Sequence, residues 1–100
     1  MNMKNSVDER ALQKTSRALK SIAHPARLRI LMILGCAGKF SVSELQRALG
    51  ISQSMTSQHL AAMRAQGVLT AAKVENKVFY SIGNKEVLKI IACMKNCAGR

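Results

Sequence analysis

The chain has 100 residues, of which 48% are apolar but only 3% aromatic, and 16 Lys and Arg stand against 5 Asp and Glu for a formal charge of +11. A core for a single domain of this size must therefore be aliphatic, and no stretch reaches the roughly 18 apolar residues that a membrane span needs. The charge suits a polyanion, because each neutralised phosphate releases a condensed counterion; an anionic membrane surface and a merely solvated basic face are the competing readings.

The opening MNMKNSVDER lacks the apolar centre of a secretory signal, so a cytoplasmic location is expected, where cysteines stay reduced. Three cysteines also make an odd count, which argues against a pure disulfide framework. No repeat, low-complexity run or linker divides the chain, and one domain over residues 1–100 is expected.

Val7 to Ile22 reads as a first helix, with Ala11, Leu12, Leu19 and Ile22 at helical spacing. Pro25 begins a second, since the N–H that proline lacks has no partner in a first turn. Its run from Ala26 to Leu34 is apolar nearly all round apart from Arg27 and Arg29, and it is expected to stop in Gly35, Cys36, Ala37 and Gly38. Ser41 and Glu44 form a capping box that starts a third helix near Val42, burying Leu45, Ala48 and Leu49 before Gly50 turns the chain. Ser52 caps a fourth helix running to about Gln66. Leu69–Lys73 and Val78–Ile82 read as two strands, with Val74, Glu75, Asn76 and Lys77 as a polar tip. Because no glycine is present there, Asn76 is the residue expected to be left-handed. Asn84 caps a last helix to about Ala98, with Val87, Ile90, Ile91 and Met94 along one side. The reading is mainly α with a small β-hairpin, in the order ααααββα.

The third and fourth helices have helix-turn-helix proportions. On the fourth, Thr56, Leu60 and Met63 point inward, while Gln53, Ser54, Ser57, Gln58, Ala61 and Arg64 share the other side. Short side chains that donate and accept hydrogen bonds suit a helix lying in the DNA major groove; a solvated face more usually carries Lys and Glu. The hairpin that follows has the place of a wing, with Lys73 and Lys77 positioned to meet phosphates.

ALKSIAHPARLRILMIL, SVSELQRALGISQSMTSQHLAAMRAQGVL and KVFYSI resemble the ArsR/SmtB family of winged helix-turn-helix repressors from about Leu19 to Met94. The family's Ser-x-His-Leu falls at Ser57, His59 and Leu60. The resemblance implies a recognition helix over Ser52–Gln66 and a wing over Thr70–Ile82. It also implies a homodimer through the first and last helices and a repressor that leaves an imperfect inverted-repeat operator when an inducer binds. Ser52, Gln53, Ser54, Ser57, Gln58, His59, Arg64, Lys73 and Lys77 are then the DNA-binding candidates.

The family's familiar metal sites are missing. The segment SVSEL at the third helix has no Cys-x-Cys, and NKEVLKIIACMKNCAGR has neither His nor Asp for zinc. His24 and His59 stand alone in sequence, so neither a metal nor another cofactor is expected. Cys36, Cys93 and Cys97 remain as candidate sensor thiols, the last two stacked at i and i+4. The chain resembles the family's branch that senses reactive sulfur or oxidants. It departs from it in position: that branch's second-helix thiol falls at Met32 here, and its final thiol about two residues beyond Cys97. Three uses of the cysteines stay open: small buried hydrophobes, a redox or persulfide switch, and a three-thiolate site for a soft metalloid such as As(III). Lys89 and Lys95 stand near enough in sequence to lower thiol pKa values for either chemistry.

No enzyme is expected, since there is no glycine-rich phosphate loop, reactive carboxylate pair or paired Cys–His nucleophile. A winged helix that docks protein, and an architectural DNA binder without sequence preference, are the alternatives to a specific repressor.

Overall fold

The computed structural model describes residues 8–98, apart from the side chains of residue 37 and residues 95–98. In order these form α1 (Glu9–Ile22), α2 (Pro25–Ala37), β1 (Phe40–Ser41), α3 (Val42–Leu49), α4 (Gln53–Ala65), β2 (Leu69–Val74), β3 (Lys77–Ile82) and α5 (Lys85–Ala98). The expected helix start at Val7 lies outside the described residues; α1 begins after Asp8, whose carboxylate accepts the Arg10 N–H.

Helix starts leave N–H groups without partners, and here short side chains take them up. His24 Nδ1 accepts from Ala26 N–H at 3.1 Å, Ser52 Oγ from Met55 N–H at 3.1 Å, and Asn84 Oδ1 from Glu86 and Val87. At α3 the box closes both ways: Ser41 Oγ accepts the Glu44 N–H, and Glu44 accepts the Ser41 N–H at 2.8 Å. That second bond, above all, holds the Glu44 carboxyl below its ordinary range.

Two boundaries differ from expectation. α2 does not stop at Gly35 but runs to Ala37, and the chain turns at Gly38, where φ is 90°. Gly35 is there for closeness: a Cβ on it would lie 2.9 Å from Ile91 Cγ2 of α5. At the hairpin, Val74 pairs with Lys77, leaving Glu75 and Asn76 as a two-residue turn. Such turns place a positive φ at their first central position, so Glu75 takes it at 58°, not Asn76.

The sheet also has a strand that the sequence reading missed. β1 pairs antiparallel with β3, Phe40 opposite Tyr80 and Ser41 opposite Phe79, giving the order β1-β3-β2. This short edge ties the start of α3 to the hairpin.

Ile30, Leu31 and Leu34 of α2 are buried at the centre, against Ile22 of α1, Leu45 and Leu49 of α3, Leu60 and Met63 of α4, and Val87 and Ile91 of α5. Ala48 is exposed, contrary to expectation, because the buried stripe of α3 runs through Leu45 and Leu49. Val87 and Ile91 belong to the protomer's own core, whereas Leu88 and Met94 of the same helix point outward. On α1, Leu12 is 50% exposed and Leu19 also faces out. Leu12 and Leu19 on α1, and Leu88 and Met94 on α5, therefore present apolar surface that the protomer does not cover.

Candidate nucleic-acid interface

Gly50 ends α3 in the left-handed region, with φ 70° and ψ 28°, and Ser52 caps α4 two residues later. The half-buried Ile51 between them packs against the core. This short, anchored turn fixes the angle between the two helices.

α4 divides as its sequence requires. Thr56, His59, Leu60 and Met63 are buried; Thr56 further donates its hydroxyl to Ser52 O at 2.9 Å, which locks the first turn. Gln53, Ser54, Ser57, Gln58, Ala61 and Arg64 are all exposed. The polar side chains among them make no hydrogen bond to another of the described residues. Lys73 and Lys77 are exposed near the hairpin tip, on β2 and β3 respectively. Behind them Thr70 and Ser81 hydroxyls meet at 3.1 Å across the strands, and Lys39 Nζ lies 5.7 Å from the Phe79 ring centre.

His59 sits differently from the other DNA-binding candidates. It is 6% exposed and turned back toward α2, where Nδ1 accepts from Arg27 Nε–H at 3.1 Å. Arg27 also donates from Nη1 to the Ser21 carbonyl at 2.8 Å, so one guanidinium ties the end of α1 to the inner side of α4. Burial, then the charges of Arg27 and His24, lowers the His59 pKa and keeps the ring neutral. The two histidines do not stand alone in space: their ring centres are 4.7 Å apart. Each already uses Nδ1 as an acceptor. Sequence reasoning gives Arg27 no role, although a cation in the first turn of a helix that is apolar nearly all round is a sign of a polar tie.

Cys36 and Cys93 are free thiols, both exposed, so neither is a buried hydrophobe of the protomer's own core. The side chains of Cys97 and Lys95 lie outside the described residues. Cys36 follows Gly35, and Cys93 stands two residues beyond Ile91, so both lie near a place where α2 packs against α5.

A tight two-helix unit with a polar outer face, followed by a hairpin and flanked by long terminal helices, defines a winged helix-turn-helix protein. The chain belongs to the arsR family of bacterial regulatory proteins, whose family model matches residues 24–71. It is 42% identical over 84 residues to the HTH-type transcriptional regulator YgaV of Escherichia coli K12, covering 84% of this chain and 85% of that one. Among solved structures, HlyU from Vibrio cholerae N16961 superposes with a TM-score of 0.85 at 34% identity, over 93% of this chain and 100% of that one. The transcriptional repressor BigR from Xylella fastidiosa gives 0.80 at 26% identity, over 97% and 96% of the two chains. The chain is thus a transcriptional regulator of the DNA-binding kind. No helix among the described residues is long and apolar enough to cross a membrane.

Proposed function

We propose that this protein is a homodimeric repressor that occupies an imperfect inverted-repeat operator in double-stranded DNA. The observation that carries the reading is the division of α4, whose outer side offers Gln53, Ser54, Ser57, Gln58 and Arg64 to a groove while its inner side is fixed in the core. Small amide and hydroxyl groups read base edges, and Lys73 and Lys77 at the wing meet the flanking phosphates. His59 acts from behind, holding α4 against α2 through Arg27. The uncovered leucines and methionine of α1 and α5 support pairing of two copies, which sets two recognition helices about one DNA turn apart. Fluorescence anisotropy against operator and random duplexes over a salt series tests this. A sequence-specific dimer discriminates by at least about 10³ and shows a steep salt slope. A protein-docking module would bind neither duplex appreciably, and an architectural binder would bind both alike.

Release by thiol modification is the second part of the proposal. It is supported by the exposure of Cys36 and Cys93 beside the α2–α5 contact, and α5 also carries the outward apolar face. Ligation of As(III) by the cysteine thiolates is the alternative inducer chemistry. The protein works in the cytoplasm as a single domain, without a metal or cofactor.

A further inference from the structure

We infer that the cleft between the end of α1, the start of α2 and the end of α4 is a binding site for a tetrahedral oxyanion of the phosphate class. The cleft, of about 360 Å³, is bordered by Arg17, Lys20 and Arg27, with Ala62 and Ala65 of α4 as a low wall that leaves it open. No carboxylate among the described residues lines it. The one ion pair among the described residues, Lys89 with Glu86, lies elsewhere, on α5. Three cations therefore border one cleft with no counter-charge among the described residues.

Two further observations point to an anion and not merely to a basic surface. Ser21 is 7% exposed, lines the same cleft, and its hydroxyl has no hydrogen-bond partner among the described residues. A buried hydroxyl left in that state costs free energy, which a bound acceptor would recover. Arg27 is half-buried and spends two of its five N–H groups on neutral acceptors, His59 Nδ1 and the Ser21 carbonyl. Its remaining donors and its charge are unanswered, and a planar guanidinium fork fits a phosphate edge. Because Ala62 and Ala65 sit beside the outer residues Gln58 and Ala61 of α4, the anion can be a backbone phosphate at the rim of the groove or a free oxyanion.

The test follows the Arg27 Nε–Hε resonance of the full chain by NMR during titration with inorganic phosphate, with sodium chloride at matched ionic strength as the reference. A saturable shift is expected with phosphate but not with chloride. The apparent affinity should fall about tenfold in R17Q/K20Q, whose exposed side chains can change without disturbing the core, and by a smaller factor in S21A. A second arm adds operator duplex. If phosphate competes with duplex and R17Q/K20Q lowers the salt slope by about 2, the natural ligand is the DNA backbone. If phosphate and duplex bind together with an unchanged slope, it is a free oxyanion. No saturation with phosphate, or equal saturation in R17Q/K20Q, overturns the site. The first arm contains no DNA, so its failure leaves the DNA-binding reading standing, and failure of that reading leaves the first arm intact.

Discussion

Arg27 donates its Nε–H to Nδ1 of His59 at 3.1 Å, and this bond joins the helix that centres the core to the helix proposed to face DNA. Burial keeps His59 neutral, and its neutral ring is what makes Nδ1 an acceptor. An ordinary histidine titrates near 6.5, and the folded value here lies below that. Above the ordinary value both folded and unfolded chains hold a neutral ring, and the contribution of His59 is complete. As pH falls through that value the unfolded chain takes up the proton first, so stability falls until the folded ring also titrates.

His59→Gln removes this proton uptake while its side-chain oxygen can still accept from Arg27. Between about pH 7.5 and about pH 5.5 the parent should therefore lose more of its Tm than H59Q does. Thermal melts across that interval check it, with His24 common to both proteins. Parallel curves would show that His59 does not titrate differently in the two states.

Base reading and phosphate holding should separate by variant. Ser57→Ala or Gln58→Ala should weaken operator binding by about 1–3 kcal/mol and relax specificity, because these side chains stand on the open side of α4. Lys77→Ala should weaken all duplexes about equally and flatten the salt slope by about one. If Gln58→Ala leaves the ratio of operator to random affinity unchanged, the recognition face has been misplaced.

Pairing should depend on residues that the protomer leaves uncovered. Sedimentation at micromolar concentration should give a dimer for the parent. Leu19→Glu should yield a folded monomer, since Leu19 is exposed on α1 and its loss opens no cavity. Burial of Val87 and Ile91 within one protomer moves the expected interface toward Leu12, Leu19, Leu88 and Met94. A stable L19E dimer would place the interface on another face.

The legible parts of this fold were those written in local chemistry. Ser41 with Glu44, Gly50 and Ser52 each name a helix boundary by the bond or backbone angle that only such residues supply, and the structure uses all of them. The division of α4 into a buried side and a polar outer side followed from spacing alone. What sequence did not reveal depends on partners distant along the chain. β1 is two residues long and exists only because β3 lies beside it. Gly35 looks like a stop until Ile91 is seen against it. His59 reads as part of a motif, and only the approach of Arg27 from α2 turns it inward.

That close approach makes a prediction about packing. Alanine at position 35 gains roughly 1 kcal/mol of helix propensity. Its methyl would meet the buried Ile91 Cγ2 at 2.9 Å, and overpacking of this kind costs about 1–3 kcal/mol. Gly35→Ala should thus be destabilising on balance. Ile91→Ala removes the obstructing methyl, so the double variant should lose less stability than the sum of the single ones. Strict additivity in denaturant melts would mean that α5 shifts freely and that the contact is not tight.

The switch prediction follows from the same contact. Cys36 and Cys93 are exposed beside the place where α2 seats α5, and Cys97 follows one turn further along that helix. On the proposed mechanism, a bond or an added sulfur at these thiols would change how α5 rests on α2, and with it how the exposed Leu88 and Met94 would meet a second copy. The inducer can shift the dimer only by its differential affinity for the binding and released geometries. A persulfide donor, or an oxidant such as diamide that takes two electrons and two protons from a pair of thiols, should weaken operator binding, and a reductant should restore it. Cys97→Ser should block the response and leave reduced-state affinity nearly intact, with Cys36→Ser the next variant expected to do so. Arsenite added with the thiols kept reduced separates the metalloid alternative, which predicts release without oxidation. A cysteine-free variant that binds and releases DNA as the parent does under all three treatments would place the sensor elsewhere and leave the cysteines without a regulatory role.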